Sequence, residues 1–474
     1  MFSFLMKKPS WQALCLMCVG AFLVRALVFY GYVQQDERYQ QPDSIDYHCA
    51  AVSLALGKGM VQIWNEEPIF WRTPGYPCFL AFFYRLYDEY SLDFFDHEES
   101  HRMALWVQII LSSFLPLLFF WLALLLTQSY LVGWLAACVS IFHVGCVLAS
   151  MFLLTDGLAL LLFVVFLICL YRLIMRKLTY RDVCGAVIFL SLFTWMRPMG
   201  IYIALLSACL IFFAQEQRLK KIKMAFLFLT LFFASVSPWY MRNYAMTGHV
   251  FFCPIFGPYL TCFCVPKIME RVEHKPLIEC FHQASHDGGV ATKRALLCAR
   301  QRGEVKVFCK QLACLPPAVE WIKDYPLYFA YDWLVQVVKT MFDVYSSQLV
   351  AFAAGTFKSD PLIEFLSEKI AACLYVQSMS VGMRLVCWIE FFFSLCMWLG
   401  IAVGLILFGY RTFSIKTAMR EREFFKVWLI SGLMIGLVVC MTGGFGYARL
   451  RLPVEPLMVI LGITFWVWFI GKFK

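Results

Sequence analysis

Leu154–Lys177 reads LTDGLALLLFVVFLICLYRLIMRK. A carboxylate, Asp156, stands near its start, and Arg172, Arg176 and Lys177 stand at its end. Between Gly157 and Tyr171 there is no charged residue. A helix that crosses a bilayer needs about 20 predominantly apolar residues. Lys and Arg collect on the cytoplasmic side of such helices. The stretch therefore predicts a membrane span with its basic end inside and Asp156 at its outer end.

The whole chain repeats this pattern. Of 474 residues, 61% are hydrophobic and 15% charged, whereas soluble domains are roughly 45–50% apolar and about 25% charged. That balance excludes a water-soluble enzyme and a disordered or fibrous chain. Apolar runs occur at Trp11–Tyr32, Ala104–Leu126, Leu131–Met151, Leu154–Tyr171, Val183–Trp195, Met199–Phe213, Met224–Trp239, Leu385–Phe408, Val427–Met441 and Glu455–Ile470. The expected fold is an all-α polytopic membrane protein of about ten transmembrane helices. The first run follows Lys7 and Lys8. It is too long for a signal peptide, lacks a small-x-small cleavage site, and reads as an uncleaved anchor.

Ten spans place every basic cluster on one side: Lys7/Lys8, Arg172–Arg181, Arg218–Lys223, Arg411–Lys426 and Lys472/Lys474. By the positive-inside rule that side is the cytoplasm, with both termini inside. The net charge of +10 thus belongs to short inner loops and gives no support to nucleic-acid binding. A bacterial inner membrane is the expected location. The acidic loop 34–103 and the long loop 243–383 fall outside. Three regions follow: a core, 1–242, that includes loop 34–103, an outward region, 243–383, and C-terminal helices, 384–474. Leu327–Gly355 is fairly apolar but is interrupted by Asp332, Lys339 and Asp343. It reads as an amphipathic helix on the outer membrane surface.

Most of the 20 Cys lie in apolar runs and act as small hydrophobes. Cys253, Cys262, Cys264, Cys280, Cys298, Cys309 and Cys314 share the long loop, where an oxidising compartment would allow one or two disulfides. No metal-ligand set is read, although a divalent cation is left open. No other cofactor is implied.

Chemistry should gather where polar, irregular chain meets the outer surface. Asp43 and Asp46 stand in QPDSIDYHCA, just beyond the first span. A carboxylate there suits a general base; it equally suits a turn after Pro42 with a helix cap. FWRTPGYP, Phe70–Pro77, sets Arg72 among aromatics, with Pro74 and Pro77 expected to block a regular helix. Arg72 suits a phosphate or a lipid headgroup. Asp156 suits a cavity acid or an N-cap. Arg197 precedes a proline at an outward turn, and Arg242 lies in PWYMRNY after the seventh span. Arg449 and Arg451 defy the positive-inside bias. An anionic ligand, anionic lipid or Glu455 would account for them. Two carboxylates among several Arg suit a lipid-linked phosphate, with Arg holding the phosphate and a carboxylate activating an acceptor hydroxyl.

These motifs resemble the GT-C class of integral-membrane glycosyltransferases. Within it they are similar to the dolichyl-phosphate-mannose–protein mannosyltransferase-like group, which includes the lipid A aminoarabinose transferases. The resemblance is ordered along nearly the whole chain: PDSIDYHCAAVSLALGKG, FWRTPGYPCFLAFFYRLY, LLTDGLALLL, WMRPMG, PWYMRNYAMTG and YARLRLPVEP. It implies a polyprenyl-phosphate sugar donor, a lipid, glycan or protein acceptor at the outer face, and inversion at the sugar. It further implies Asp43 as catalytic base, Asp156 as a second cavity acid, and Arg72 and Arg449 as phosphate contacts. Tyr47 and Tyr76 take the family's motif positions and, with Arg197, Arg242 and Arg451, complete the expected substrate site. In the aminoarabinose transferases an acid precedes the basic residue of the second motif. Here Trp71 stands there, a departure from the pattern that bears on that particular substrate and on any metal site using that acid. The protein mannosyltransferases often carry Asp-Glu in the first loop, where this chain has Asp43-Ser44.

A transporter or flippase of a lipid-linked intermediate is the alternative. It would show inverted repeats and spans interrupted near the bilayer midplane; no internal repeat is found, and the polar residues gather at one surface. An inactive scaffold would not need Asp43, Arg72 and Asp156 intact.

Overall fold

Each of the ten apolar runs forms helix in a computed structural model of the chain. The structure describes residues 9–33, 39–62, 65–91, 93–176, 178–302, 310–345, 381–412, 419–442 and 448–471. The first helix, α1, is Trp11–Val28. Two helices, α2 (Pro42–Ala55) and α3 (Gly75–Tyr87), carry the first loop. Then come α4 (Glu98–Ser112), α5 (Leu115–Thr127), α6 (Tyr130–Phe142), α7 (Asp156–Met175), α8 (Tyr180–Met196), α9 (Gly200–Leu210) and α10 (Arg218–Thr247). After further helices in the second long loop, among them the 26-residue Leu277–Arg302, follow α11 (Pro326–Phe342), α12 (Val381–Thr412), α13 (Met419–Thr442) and α14 (Glu455–Gly471). Among the described residues the only strand-like pairing is an isolated antiparallel bridge, Val61 to Pro68.

Among the described residues, seven stretches are long and apolar enough to cross a membrane: Trp11–Gly31, Glu98–Thr127, Asp156–Met175, Arg218–Thr247, Leu385–Tyr410, Glu423–Thr442 and Ala448–Gly471. Three helices expected to span are shorter. At 1.5 Å per residue, α6 covers about 20 Å, less than the roughly 30 Å of hydrocarbon. Helix α8 has 17 residues, and Gly200–Phe213 is also short. The seven rest on length and composition; the count of ten also needs these three.

The structure alters three expectations and bears on a fourth. Pro77 does not block a helix, because it sits in the first turn of α3, where a backbone N–H has no intrahelical acceptor anyway. The seventh apolar run does not stop at Trp239: α10 continues through Pro238 to Thr247. Its 30 residues extend about 45 Å, so its last turns rise beyond a bilayer core. In Leu327–Gly355 the described residues are 327–345, and all but the last three of them belong to α11, a helix that is not among the long apolar stretches; 346–355 lie outside the described residues. Cys253, Cys262, Cys264, Cys280 and Cys314 are all free thiols, and the side chains of Cys298 and Cys309 lie outside those described.

The core has two parts that matter for function. The larger runs through α5–α10 and α12–α14, and α7 lies near its centre, with Leu160, Phe163, Val164 and Leu167 fully buried. The smaller packs under α2 and α3. It joins Tyr47, Ala51, Tyr76 and Leu80 to Leu105 and Ile109 of α4 and to Val147–Leu154.

Gly75 fixes the approach of α3 to the bundle. A Cβ there would lie 2.6 Å from the carbonyl oxygen of Trp195, at the end of α8. Backbone cannot yield cheaply to such a clash. Thr73 Oγ1 donates to Met196 O at 2.9 Å beside it. Gly75→Ala is therefore expected to destabilise the purified protein by about 1–3 kcal/mol, read as a lower thermal midpoint in detergent. An unchanged midpoint would show that α3 does not depend on this contact.

Candidate active site

Asp43 lies in the first turn of α2, just after Pro42. Proline suits that position, and a carboxylate is favoured at a helix N-terminus by the helix dipole. The turn is fixed from both sides. Gln41 N–H donates to Ser44 Oγ at 2.9 Å, and Ser44 Oγ donates to Leu153 O at 3.0 Å. Leu153 N–H donates to Tyr39 O at 3.1 Å. These bonds bring α2 against the chain that enters α7, whose first residue is Asp156.

The approach to α7 breaks the helical run after Ala149. Irregular backbone at membrane depth must find partners inside the protein. Gln108 of α4 supplies them. Its Nε2 donates to Phe152 O at 3.0 Å and, at 3.5 Å, to Ser150 O. Tyr76 OH donates to Gln108 Oε1 at 2.8 Å. The Tyr76 hydroxyl is thus spent on holding this segment, and Tyr76 stands behind Tyr47, ring centroids 5.2 Å apart.

Five of the residues singled out by sequence meet in one ladder of ion pairs. Arg72 Nη2 donates to Asp43 Oδ1 at 2.6 Å. Arg449 Nη2 donates to Asp43 Oδ2 at 3.0 Å, and its Nε donates to Asp156 Oδ2 at 3.0 Å. Arg197, the C-cap of α8, pairs with Asp156 Oδ1 and reaches Thr155 Oγ1 at 3.4 Å. Tyr47 lies beneath Arg72, whose guanidinium carbon is 4.9 Å from the ring centre. Because direct bonds join the start of α2, the start of α7, the end of α8 and the turn before α14, these ends share one face of the bundle. The opposite ends carry other pairs, Arg172–Asp182 at 3.2 Å and Lys220–Glu216 at 2.8 Å.

Asp46 extends the ladder at its open end. It accepts from Arg72 Nη2 at 2.8 Å, Arg72 Nε at 3.1 Å and Trp71 Nε1 at 3.3 Å. The sequence offered Asp46 beside Asp43, and the family resemblance singled out Asp43 alone. Its helical spacing from Asp43, one turn on, was the available signal. Exposure falls along the ladder: the Asp46 side chain is 41% exposed, Asp43 35% and Asp156 2%. A ligand can reach Asp43, whereas Asp156 is closed off behind Arg197 and Arg449. Among the described residues, Nη1 of Arg72 and of Arg449 has no hydrogen-bond partner. Burial alone would raise the Asp43 carboxyl, but Arg72 and Arg449 outweigh it and hold the group well below the usual carboxylate range. Asp43 therefore stays anionic as pH falls below its ordinary value of about 4. The stability its pairs contribute is present above that value and lost as pH drops through the depressed one.

Two arginines grouped with these go elsewhere. Arg242 donates to Ile69 O at 3.2 Å and Met60 O at 2.9 Å, and it stacks on Trp239 at 4.4 Å. Its neighbour Asn243 donates to Phe251 O and Phe252 O. The pair staples two stretches of loop to the end of α10. Arg451 is buried. Its Nε donates to Glu455 Oε1 at 2.6 Å, and its Nη1 donates to the carbonyls of Thr340, Met341 and Asp343. Residues two apart in a helical turn point about 200° away from one another. Ala448–Arg451 is such a turn, so Arg449 enters the ladder while Arg451 grips the end of α11. Asp343 Oδ2 accepts from Ala448 N–H at 2.7 Å and steadies the same turn. Of the partners considered for Arg451, the structure supplies Glu455.

Among the described residues no three His, Cys, Asp or Glu side chains converge as metal ligands, and both exposed carboxylates of the ladder are engaged by Arg72.

No family model matches the chain, and no curated protein matches it. Among solved structures the chain is similar to the crystal structure of ArnT from Cupriavidus metallidurans bound to undecaprenyl phosphate. The two are 13% identical, with 95% of this chain and 76% of that chain covered and a TM-score of 0.38. A likeness of that depth transfers no residue role and no ligand.

Proposed function

We propose that the chain is a glycosyltransferase that moves a sugar from a polyprenyl-phosphate donor to an acceptor hydroxyl on a lipid, glycan or protein at the outer face of the membrane. The observation that carries this reading is the ladder itself: a reachable carboxylate, Asp43, is held between two guanidiniums, each with an Nη1 that has no hydrogen-bond partner among the described residues. The order of motifs in the sequence supports it. In this reading Arg72 and Arg449 hold the donor phosphate, and Asp43 takes the proton from the acceptor hydroxyl. The acceptor oxygen attacks the anomeric carbon from the face opposite the phosphate. The carbon–phosphate oxygen bond breaks, and the electron pair leaves with the phosphate, whose charge the two arginines stabilise. Asp156 and Arg197 orient Arg449 and do not touch the substrate.

A carboxylate held far below its usual range is a weak base. The donor corrects this. A phosphate on Arg72 and Arg449 neutralises the charges that depress Asp43, so the base strengthens once the donor is bound. The acidic limb of kcat/KM reports the free enzyme and that of kcat the complex. The kcat limb is expected at higher pH than the kcat/KM limb. Coincident limbs would place the base elsewhere.

The reading is tested with purified protein and a polyprenyl-phosphate donor of known anomeric configuration. The expected product carries the opposite configuration, read by NMR. A retained configuration would contradict direct displacement with Asp43 as base.

A further inference from the structure

We propose that Asp46 is a positioning residue that sets the orientation of Arg72 and thereby keeps Asp43 free enough to work as a base. The proposal rests on the glycosyltransferase reading for its kinetic part alone.

A guanidinium offers donors in a fixed planar fork. Asp46 occupies one edge of that fork with a single oxygen, accepting from both Nε and Nη2 of Arg72. Trp71 Nε1 donates to the same oxygen and fixes the carboxylate from behind. What remains of Arg72 is one bond from Nη2 to Asp43, at 2.6 Å, and an Nη1 with no partner among the described residues. Without Asp46, two adjacent N–H groups of Arg72 become available to Asp43. The favoured arrangement is then a bidentate pair. That pair would hold Asp43 more tightly as an anion and turn Nη1 away from an incoming phosphate. The groups facing Asp43 are Arg72 from the first loop, Arg449 from the turn before α14, and Asp46 and Tyr47 from its own helix. Among the described residues, removing Asp46 removes the one acidic group that competes with Asp43 for Arg72.

The experiment compares wild type, Asp46→Asn and Asp46→Glu as full-length protein in detergent. In the transfer assay Asp46→Asn is expected to lower kcat by about tenfold, and the acidic limb of kcat is expected to move down by about one pH unit, equivalent to a tenfold change in proton affinity. Asp46→Glu should restore most of both. A kcat and limb equal to wild type would overturn the proposal. So would a loss of kcat proportional to the fraction of folded protein with the limb unmoved. A second measurement needs no activity: phenylglyoxal modification of Arg72, followed by peptide mass spectrometry. Arg72 should react several-fold more slowly in Asp46→Asn than in wild type, because the bidentate pair with Asp43 ties up the N–H groups the reagent attacks, with Asp46→Glu near wild type. Equal rates would overturn the proposal. If wild type transfers no sugar from any donor, the functional reading fails, while the modification rates still decide what Asp46 does to Arg72.

Discussion

Asp43→Asn is expected to lower kcat for sugar transfer by about a hundred- to ten-thousandfold, the range general-base removal produces. The amide keeps the shape of the carboxylate and loses its proton affinity. The fold should survive, because each arginine that loses Asp43 keeps another carboxylate: Arg72 keeps Asp46, and Arg449 keeps Asp156. The lost pairs lie at the exposed end of the ladder, where ion pairs are weakened by solvent. A small change in thermal midpoint should therefore accompany a large change in rate. Steady-state kinetics and thermal unfolding on the same preparation check both. Full activity in a folded Asp43→Asn protein would remove Asp43 from the chemistry.

Asp156→Asn should do the reverse. Its carboxylate is buried and pairs with both Arg197 and Arg449. Arg449 would fall back on Asp43, but Arg197 would be left with Thr155. Breaking a buried ion pair by removing one partner costs about 3–5 kcal/mol, because the other charge stays buried. The expected result is a large fall in thermal midpoint, and in the folded fraction a loss of kcat smaller than for Asp43→Asn. A protein of wild-type stability with activity as low as Asp43→Asn would make Asp156 the base.

The contrast between these two acids was only half legible in the sequence. Apolar runs ending in basic clusters set the helices, since burial in lipid demands that composition whatever the neighbours are. Helix ends were less legible. Pro77 sits harmlessly in a first turn and Pro238 inside α10, so proline alone did not mark an end. At the site, motif order and sidedness singled out Asp43, Arg72, Asp156, Arg197 and Arg449, which the structure joins by direct bonds. Charge alone could not separate Arg449 from Arg451. That separation comes from the direction of side chains two apart in one turn. Nor could it show that Arg242 would be used up on loop carbonyls, or that Tyr76 would serve Gln108. Those roles depend on where irregular backbone leaves unsatisfied carbonyls, and residue spacing along the chain does not encode this. Gln108, a polar residue inside an apolar run, was the available signal for that need. Asp46 was visible as a second acid one turn from Asp43, but its use required knowing where the Arg72 guanidinium lies.

The most direct test of the central claim is transfer of label from polyprenyl-phosphate sugars by purified protein in detergent, with extracted membrane lipids and glycans as acceptors. The expected result is label in an acceptor together with release of stoichiometric polyprenyl phosphate. Donor that stays intact across a broad panel of sugars, in the presence of those extracts, would contradict the account.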